Sequence, residues 1–169
     1  MKYAKNVILK NDKKCLIRNA VGDDAQEVLN IFLLTHEQTD FLASYKDETT
    51  FDTTFEKQFL ADKESTDREV YLCAVVDGRI VGTAGMDGKG ENKIKHRAVF
   101  GIVIDRDFWG IGIGRALSKA CIECAKDAEY SQLELDVVSN NSSAVALYKS
   151  MGFVEFGRNP RGFISRNQG

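Results

Sequence analysis

The stretch Ile102-Val-Ile-Asp-Arg-Asp-Phe-Trp-Gly-Ile-Gly-Ile-Gly114 decides how the rest of the chain is read. Ile102–Ile104 reads as the end of an apolar strand, Asp105–Trp109 as a turn, and the glycines at 110, 112 and 114 as the opening of a helix. Glycine reaches φ > 0 and carries no side chain. Three glycines at alternate positions therefore let main-chain N–H groups converge on one anion. The start of a helix adds unpaired amides and the positive end of its dipole. The stretch reads as a phosphate cradle, and the chain as a binder of a phosphorylated ligand.

Upstream, Ala98–Ile104 is a strong strand. Before it, Val70–Val76 and Arg79–Met86 flank Asp77-Gly78. Asp-Gly between two apolar runs predicts a hairpin, because a type I′ turn needs φ > 0 at both central residues. Val7–Lys10 and Cys15–Val21 read as two short strands. Asp23 or Asp24 caps a helix running to about Glu37, with Val28, Leu29, Phe32 and Leu33 on its buried face. Thr50–Asp62 reads as a second helix, with Phe51, Phe55 and Phe59 on one face. Downstream of the glycines, a helix to about Lys126 carries Ile113, Ala116, Leu117, Ala120, Cys121 and Cys124 on one side. Gln132–Val138 reads as a strand, Ser142–Met151 as a helix ended by Gly152, and Phe153–Phe156 as a further strand. A strand pair, helices, antiparallel strands and then βαβ define a mixed α/β fold around one sheet.

At 169 residues one domain over 1–169 is the default, with enough chain for a substantial core. A net charge of −2 speaks against a dedicated nucleic-acid binder. No apolar stretch is long enough to span a bilayer, so no membrane partner is expected. The N-terminal Met1–Lys10 has no apolar run followed by a cleavage site, which points to a cytoplasmic location. Of Cys15, Cys73, Cys121 and Cys124, only the last two form a C-x-x-C. Without a second pair or paired histidines no metal site is expected, and the two read as small apolar residues of a buried helix stripe.

Several ligand folds place glycines between a strand and a helix. The dinucleotide fingerprint G-x-G-x-x-G fails, because its third glycine falls on Arg115 or Leu117. Glu134 and Asp136 lie at a plausible distance for a ribose contact, which alone is thin support. A P-loop would need Gly-Lys-Ser/Thr, which is absent. The pattern resembles instead the GNAT family of acyl-CoA-dependent N-acetyltransferases. The family's Gln/Arg-Gly-x-Gly-x-Gly/Ala stands here as Trp109-Gly110-Ile111-Gly112-Ile113-Gly114. A second family motif, Asn-x-x-Ala-x-x-Leu-Tyr-x-x-x-Gly-Phe, stands as Asn141, Ala144, Leu147, Tyr148, Gly152 and Phe153. The resemblance covers about Cys15 to Phe156.

The resemblance implies a mostly antiparallel sheet flanked by helices, split between the family's fourth and fifth strands. Acetyl-CoA is the implied cosubstrate, with its pantetheine arm on the backbone of Ile102, Val103 and Ile104. Its pyrophosphate would sit on the amides of Trp109, Gly110, Ile111, Gly112, Ile113, Gly114 and Arg115. The Arg115 side chain would pair with a phosphate oxygen or stay solvated. Asn141 would bond the pantetheine arm or simply cap the last helix. Tyr148 is the implied catalytic residue, approaching the thioester sulfur to donate a proton to the leaving thiolate or a hydrogen bond to it. The implied reaction is direct attack of a primary amine in a ternary complex, which calls for a base, directly or through water. Glu134 is one candidate, since alternation with Leu133 and Leu135 turns it away from an apolar face. His96 is the other, since histidine is the usual proton acceptor near neutrality. Each has a plainer reading, as a surface strand carboxylate and a surface histidine. No cysteine falls in the glycine turn, so a covalent cysteine route is disfavoured.

The family ends with a strand returning beside the fifth one. Only Arg161–Gly169 follows Pro160 here, with Phe163 and Ile164 as its apolar content. That strand is expected to be missing, very short or supplied by a second chain in a homodimer, or the chain is a piece of a longer protein. Two other function classes stay open: a non-catalytic acyl-CoA or nucleotide sensor, and a dinucleotide-dependent enzyme. The amine acceptor is not readable from the residues.

Overall fold

The structure, a computed structural model, describes residues 1–50 and 52–166. Its strands are β1 (Ala4–Ile8), β2 (Lys14–Asn19), β3 (Val70–Val76), β4 (Arg79–Gly88), β5 (Arg97–Ile104) and β6 (Gln132–Glu134). Its helices are α1 (Ala25–Gln38), α2 (Thr53–Ser65), α3 (Ile113–Asp127) and α4 (Ser142–Ser150). The strands form one sheet in sequence order, antiparallel throughout except for the parallel pair β5–β6. This is the mixed α/β architecture the pattern predicts. The family's fourth and fifth strands correspond to β5 and β6, because the N-terminal hairpin adds one.

Helices cover both faces of the sheet, and this explains the near-continuous apolar run of β3. Leu72, Ala74, Met86, Ala98 and Phe100 bury against Ile113, Leu117, Ala120, Cys121 and Cys124 of α3. On the opposite face Cys73 and Ile80 bury against Val28 and Ile31 of α1 and Leu60 of α2. Asp77 at φ 50° and Gly78 at φ 76° form the tight β3–β4 turn, as the Asp-Gly pair requires. Burial pushes the Cys15 and Cys124 thiols up to about 11 and Cys73 to about 12, and raises Cys121 as well. All four are free and buried, so they pack as apolar residues.

Several boundaries differ from expectation. The second helix starts at Thr53 because Asp52 caps it, accepting from the Phe55 amide at 3.0 Å. Phe51, part of the expected aromatic stripe, lies outside the described residues; Phe59 packs edge-on against Tyr71 at 5.4 Å. Asp24 does not cap α1 but closes the preceding 3-10 turn and binds Arg18 at 2.7 and 3.0 Å. The strand expected over Gln132–Val138 stops at Glu134, and Phe153–Phe156 forms no strand. The first diverges from β5 after the Val99–Glu134 pair, and in the second Val154 and Phe156 stand 85% and 80% exposed. Among the described residues no strand follows α4, in line with the meagre apolar content there. The tail instead returns to the α1–α2 connection, where Arg166 pairs with Asp47 at 2.9 Å.

Candidate active site

The sheet is built to open along β5. Arg97, Ala98 and Val99 pair with Gln132, Leu133 and Glu134, and beyond Glu134 the partner strand ends. Alternation then decides which main-chain groups are left over. The Arg97 carbonyl accepts from Lys89 and the Asp105 amide donates to the Val81 carbonyl, so odd-numbered residues face β4. The His96 carbonyl accepts from Ser131 and Gln132, so even-numbered residues face the other way. Ile102 and Ile104 therefore turn their main chain into the split. Val103 does not: it pairs with Thr83 on β4, its carbonyl oxygen lies on that side, and only its side chain remains available. The Ile104 carbonyl is also spoken for, accepting from Trp109 Nε1 at 2.8 Å.

The glycine turn follows. Gly110 and Gly112 sit at φ 76° and 106°, conformations that L side chains rarely adopt, and a Cβ at either would meet open space. Among the described residues no group accepts from the amides of Gly110 through Arg115, and the first bond of α3 is Ala116 N to Gly112 O at 3.1 Å. The Trp109 amide is not part of this set, because it donates to Arg106 O at 3.1 Å. Six consecutive unused amides at the dipole's positive end, with no acidic residue in the first turn, make a strong anion site. Gly114 serves packing instead. A Cβ there would lie 3.2 Å from Leu147 Cδ2 and 3.5 Å from Ile104 Cδ1, so its absence lets α4 close onto α3 and β5.

That closure brings Tyr148 to the split. Its ring meets Phe100 edge-on at 5.9 Å and Phe153 at 5.9 Å, and burial raises its hydroxyl above the usual phenol range. Among the described residues no group bonds that hydroxyl. Arg115 donates to Ser150 Oγ at 2.7 Å, a second tie between α3 and α4. Asn141 caps α4, accepting from the Ala144 amide at 3.4 Å.

The two base candidates part company. Glu134 is clamped by Arg97, accepting from Nε and, at 2.8 Å, from Nη2, and also accepts from Gln132 Nε2 at 2.6 Å. The Arg97 guanidinium holds its carboxyl below the usual carboxylate range. His96 lies exposed at the closed end of the β5–β6 pair, before the first paired residue. Its carbonyl anchors β6, and its ring is four residues along β5 from Phe100, about 13 Å at 3.3 Å per residue. The structure thus separates His96 from Tyr148.

One feature of the turn is not readable from its own residues. Asp105 is 1% exposed and accepts from Arg79 at 2.6 Å, Gln38 Nε2 at 2.9 Å and the Asp107 amide at 3.1 Å. Gln38 Oε1 in turn accepts from the Arg106 amide at 2.8 Å. The end of α1 and the β3–β4 hairpin thereby hold the entrance to the cradle. An acidic residue ending an apolar strand was the available signal, but its partners lie 26 and 67 residues away.

Known proteins share this arrangement. The model of the Acetyltransferase (GNAT) family matches residues 30–153. MJ1207 of Methanocaldococcus jannaschii, named as an uncharacterized N-acetyltransferase, is 30% identical over 146 residues, 85% of this chain and 62% of its own length. The L-amino acid N-acetyltransferase AaaT of Escherichia coli K12 is 34% identical over 83 residues, 48% of this chain and 51% of its own length. The chain thus spans about half to three fifths of these curated relatives. A Streptococcus pneumoniae acetyltransferase of the GNAT family superposes with a TM-score of 0.80 at 30% identity, over 85% of this chain and 86% of that one. The Salmonella typhimurium protein yncA, solved with its cofactor acetyl-CoA, shares the fold at a TM-score of 0.72 and 19% identity, over 85% and 87% of the two chains. Since the family match runs through both helical layers and every strand from β3 to β6, the chain belongs to the acetyltransferase (GNAT) family.

Proposed function

We propose that residues 1–169 form one domain that transfers an acetyl group from acetyl-CoA to a primary amine by direct attack in a ternary complex. The observation that carries this reading is the run of unused amides from Gly110 to Arg115 beside a half-open parallel strand pair. The first suits a diphosphate and the second suits an amide-bearing arm that adds like a strand. Support comes from yncA, solved with acetyl-CoA on the same fold, and from relatives named as N-acetyltransferases.

In this reading the diphosphate rests on the Gly110–Arg115 amides, with the Arg115 side chain at its rim. The pantetheine amides pair with the Ile102 main chain and the Ile104 N–H. Val103 lines the arm with its side chain, and Trp109 closes the end of β5 through Ile104. Asn141 acts as the cap of α4, which sets the height of Tyr148 over the split.

The acceptor nitrogen must be neutral to attack, and only on the order of one alkyl amine in a thousand is so at neutral pH. Glu134, ionised beside Arg97, is too weak a base to deprotonate a free ammonium. It can collect a proton through water once the N–C bond is forming and that nitrogen has turned acidic. The C–S bond then breaks. A phenol is less acidic than a thiol, about 10 against 8.5, and burial widens the gap at Tyr148. Tyr148 therefore stabilises the leaving thiolate by a hydrogen bond rather than by handing over its proton at equilibrium. The thiolate takes its final proton from solvent, giving the acetylated amine and free CoA thiol.

Four free buried thiols suit the reducing cytoplasm, which is the location we propose. A thiol-release assay with acetyl-CoA across amino acids, polyamines and peptide N-termini tests the function. Release that depends on an amine is the expected result. Acetyl-CoA binding with no release for any amine would leave a sensor.

A further inference from the structure

On the face of the sheet opposite Tyr148, Glu56 of α2 is 5% exposed, one turn before the fully buried Leu60. Among the described residues its carboxyl has neither a hydrogen bond nor an ion pair. Glu134 is matched by Arg97, Asp87 and Glu69 by Lys63, and Asp24 by Arg18, while Glu27 of α1 accepts from the Ile80 amide at 3.1 Å. Lys63 lies seven residues, about 10 Å, along α2 from Glu56 and is already shared by two carboxylates. Burial raises the Glu56 carboxyl above the usual range, and its charge is felt at the Tyr71 phenol. An inward carboxyl with no cation is costly unless a cation arrives.

A path leads from this carboxyl to the split. The Tyr71 ring lies over Gly85, where a Cβ would come within 3.2 Å of it, and its hydroxyl reaches Thr83 Oγ1 at 3.3 Å. Gly85 pairs with Gly101 on β5, which is exposed and would find nothing within 4 Å of a Cβ. Two facing glycines thus leave a trough bare of side chains from Tyr71 to the open edge of β5. Because α2 packs on β3, two strand spacings of about 4.8 Å from β5, Glu56's neighbourhood is about 10–14 Å from a thioester in the split. A reacting nitrogen must come to about 3 Å from the acyl carbon, so one nitrogen cannot occupy both places.

Resting on the acetyl-transfer reading, we propose that Glu56 binds a second cationic group of the acceptor, which is a linear diamine or polyamine lying along the Gly85–Gly101 trough. One ammonium sits against Glu56 and the Tyr71 hydroxyl, and the other nitrogen attacks.

The test compares 1,5-diaminopentane with pentylamine, which differ only in the second nitrogen, on the full chain and on Glu56→Gln. The wild-type chain is expected to favour the diamine by about tenfold or more in kcat/KM, the worth of a hydrogen bond to a charged group. Glu56→Gln should erase that preference through the diamine KM, leaving kcat, the pentylamine rate and acetyl-CoA affinity in place. Thermal melting without acetyl-CoA gives a readout free of turnover: the diamine raises the wild-type Tm and not that of Glu56→Gln, while pentylamine moves neither. Equal use of both amines, a preference that survives Glu56→Gln, or a diamine Tm shift shared by both proteins overturns the Glu56 site and leaves acetyl transfer standing. A diamine-specific Tm shift lost in Glu56→Gln, with no thiol release from any amine, upholds the site and overturns the transfer.

Discussion

The two sides of β5 are built from different materials. On the α3–α4 side the cradle consists of main-chain amides from one local stretch, Gly110–Arg115, with two glycines at positive φ. On the α1–α2 side the proposed acceptor site consists of side chains carried by separate elements: Glu56 on α2, Tyr71 on β3, Arg97 on β5 and Glu134 on β6. A main-chain site needs only a backbone shape, which a short sequence can enforce. A side-chain site needs the whole fold to bring distant residues together. The comparison teaches that the cofactor side is portable across a family while the opposite side is where individual members can diverge.

Substitutions can break or sharpen that contrast. The largest effect is expected at Asp105, which ties the cradle to α1 and β4. Asp105→Ala removes three hydrogen bonds from a buried carboxylate. Arg79 is 56% exposed and can rehydrate, so urea unfolding should show a loss of about 2–4 kcal/mol rather than the full cost of a buried orphaned charge. A loss below about 1 kcal/mol would mean that the turn holds its shape by local sequence alone. Next is Tyr148→Phe, expected to lower kcat about 10–100-fold while acetyl-CoA affinity stays the same. An unchanged kcat with chemistry rate-limiting would remove Tyr148 from the reaction.

Gly112→Val tests the main-chain side directly. It forces φ 106° on a branched residue and points a side chain into the cradle. Strain of about 1–3 kcal/mol should appear in unfolding, with acetyl-CoA affinity down about tenfold. Full affinity would show that the anion does not sit there. The smallest effect concerns pH. Glu134 and Asp24 are both held below the carboxylate range, chiefly by hydrogen bonds from Arg97 and Arg18. Their folded pKa values lie below the unfolded ones, so their stabilisation is present above about pH 4 and fades as pH falls through the folded values. The Arg97–Glu134 pair is solvent-screened, so its share of this stabilisation is small. Arg97→Met should raise Glu134 toward its ordinary range and shift the acid limb of kcat/KM to higher pH. A limb that does not move would show that Glu134 takes no proton in the rate-limiting step.

Legibility followed the same division. The Asp77-Gly78 turn, the apolar stripe of α3 and the glycine cradle all follow from residues within a few positions of each other. Expectation failed where a partner decided the outcome. Leu135–Val138 and Phe153–Phe156 have the composition of strands, yet neither joins the sheet. Val103 was grouped with Ile102 and Ile104, but the register with β4 claims its carbonyl. His96 has suitable chemistry at the wrong end of β5. Nothing near Arg97 in sequence signals its clamp on Glu134, 37 residues on.

By itself the sequence determined the order of elements, the glycine turn with its free amides at a helix start, and the motif that carries Tyr148. These are local, since backbone conformation and amphipathic periodicity are set by neighbouring residues. Only the tertiary structure decided which edge of β5 is open, that Glu134 is tied down, and that Glu56 faces inward with no cation. Those depend on strand register and on charges meeting across the sheet, where contacts join residues tens of positions apart.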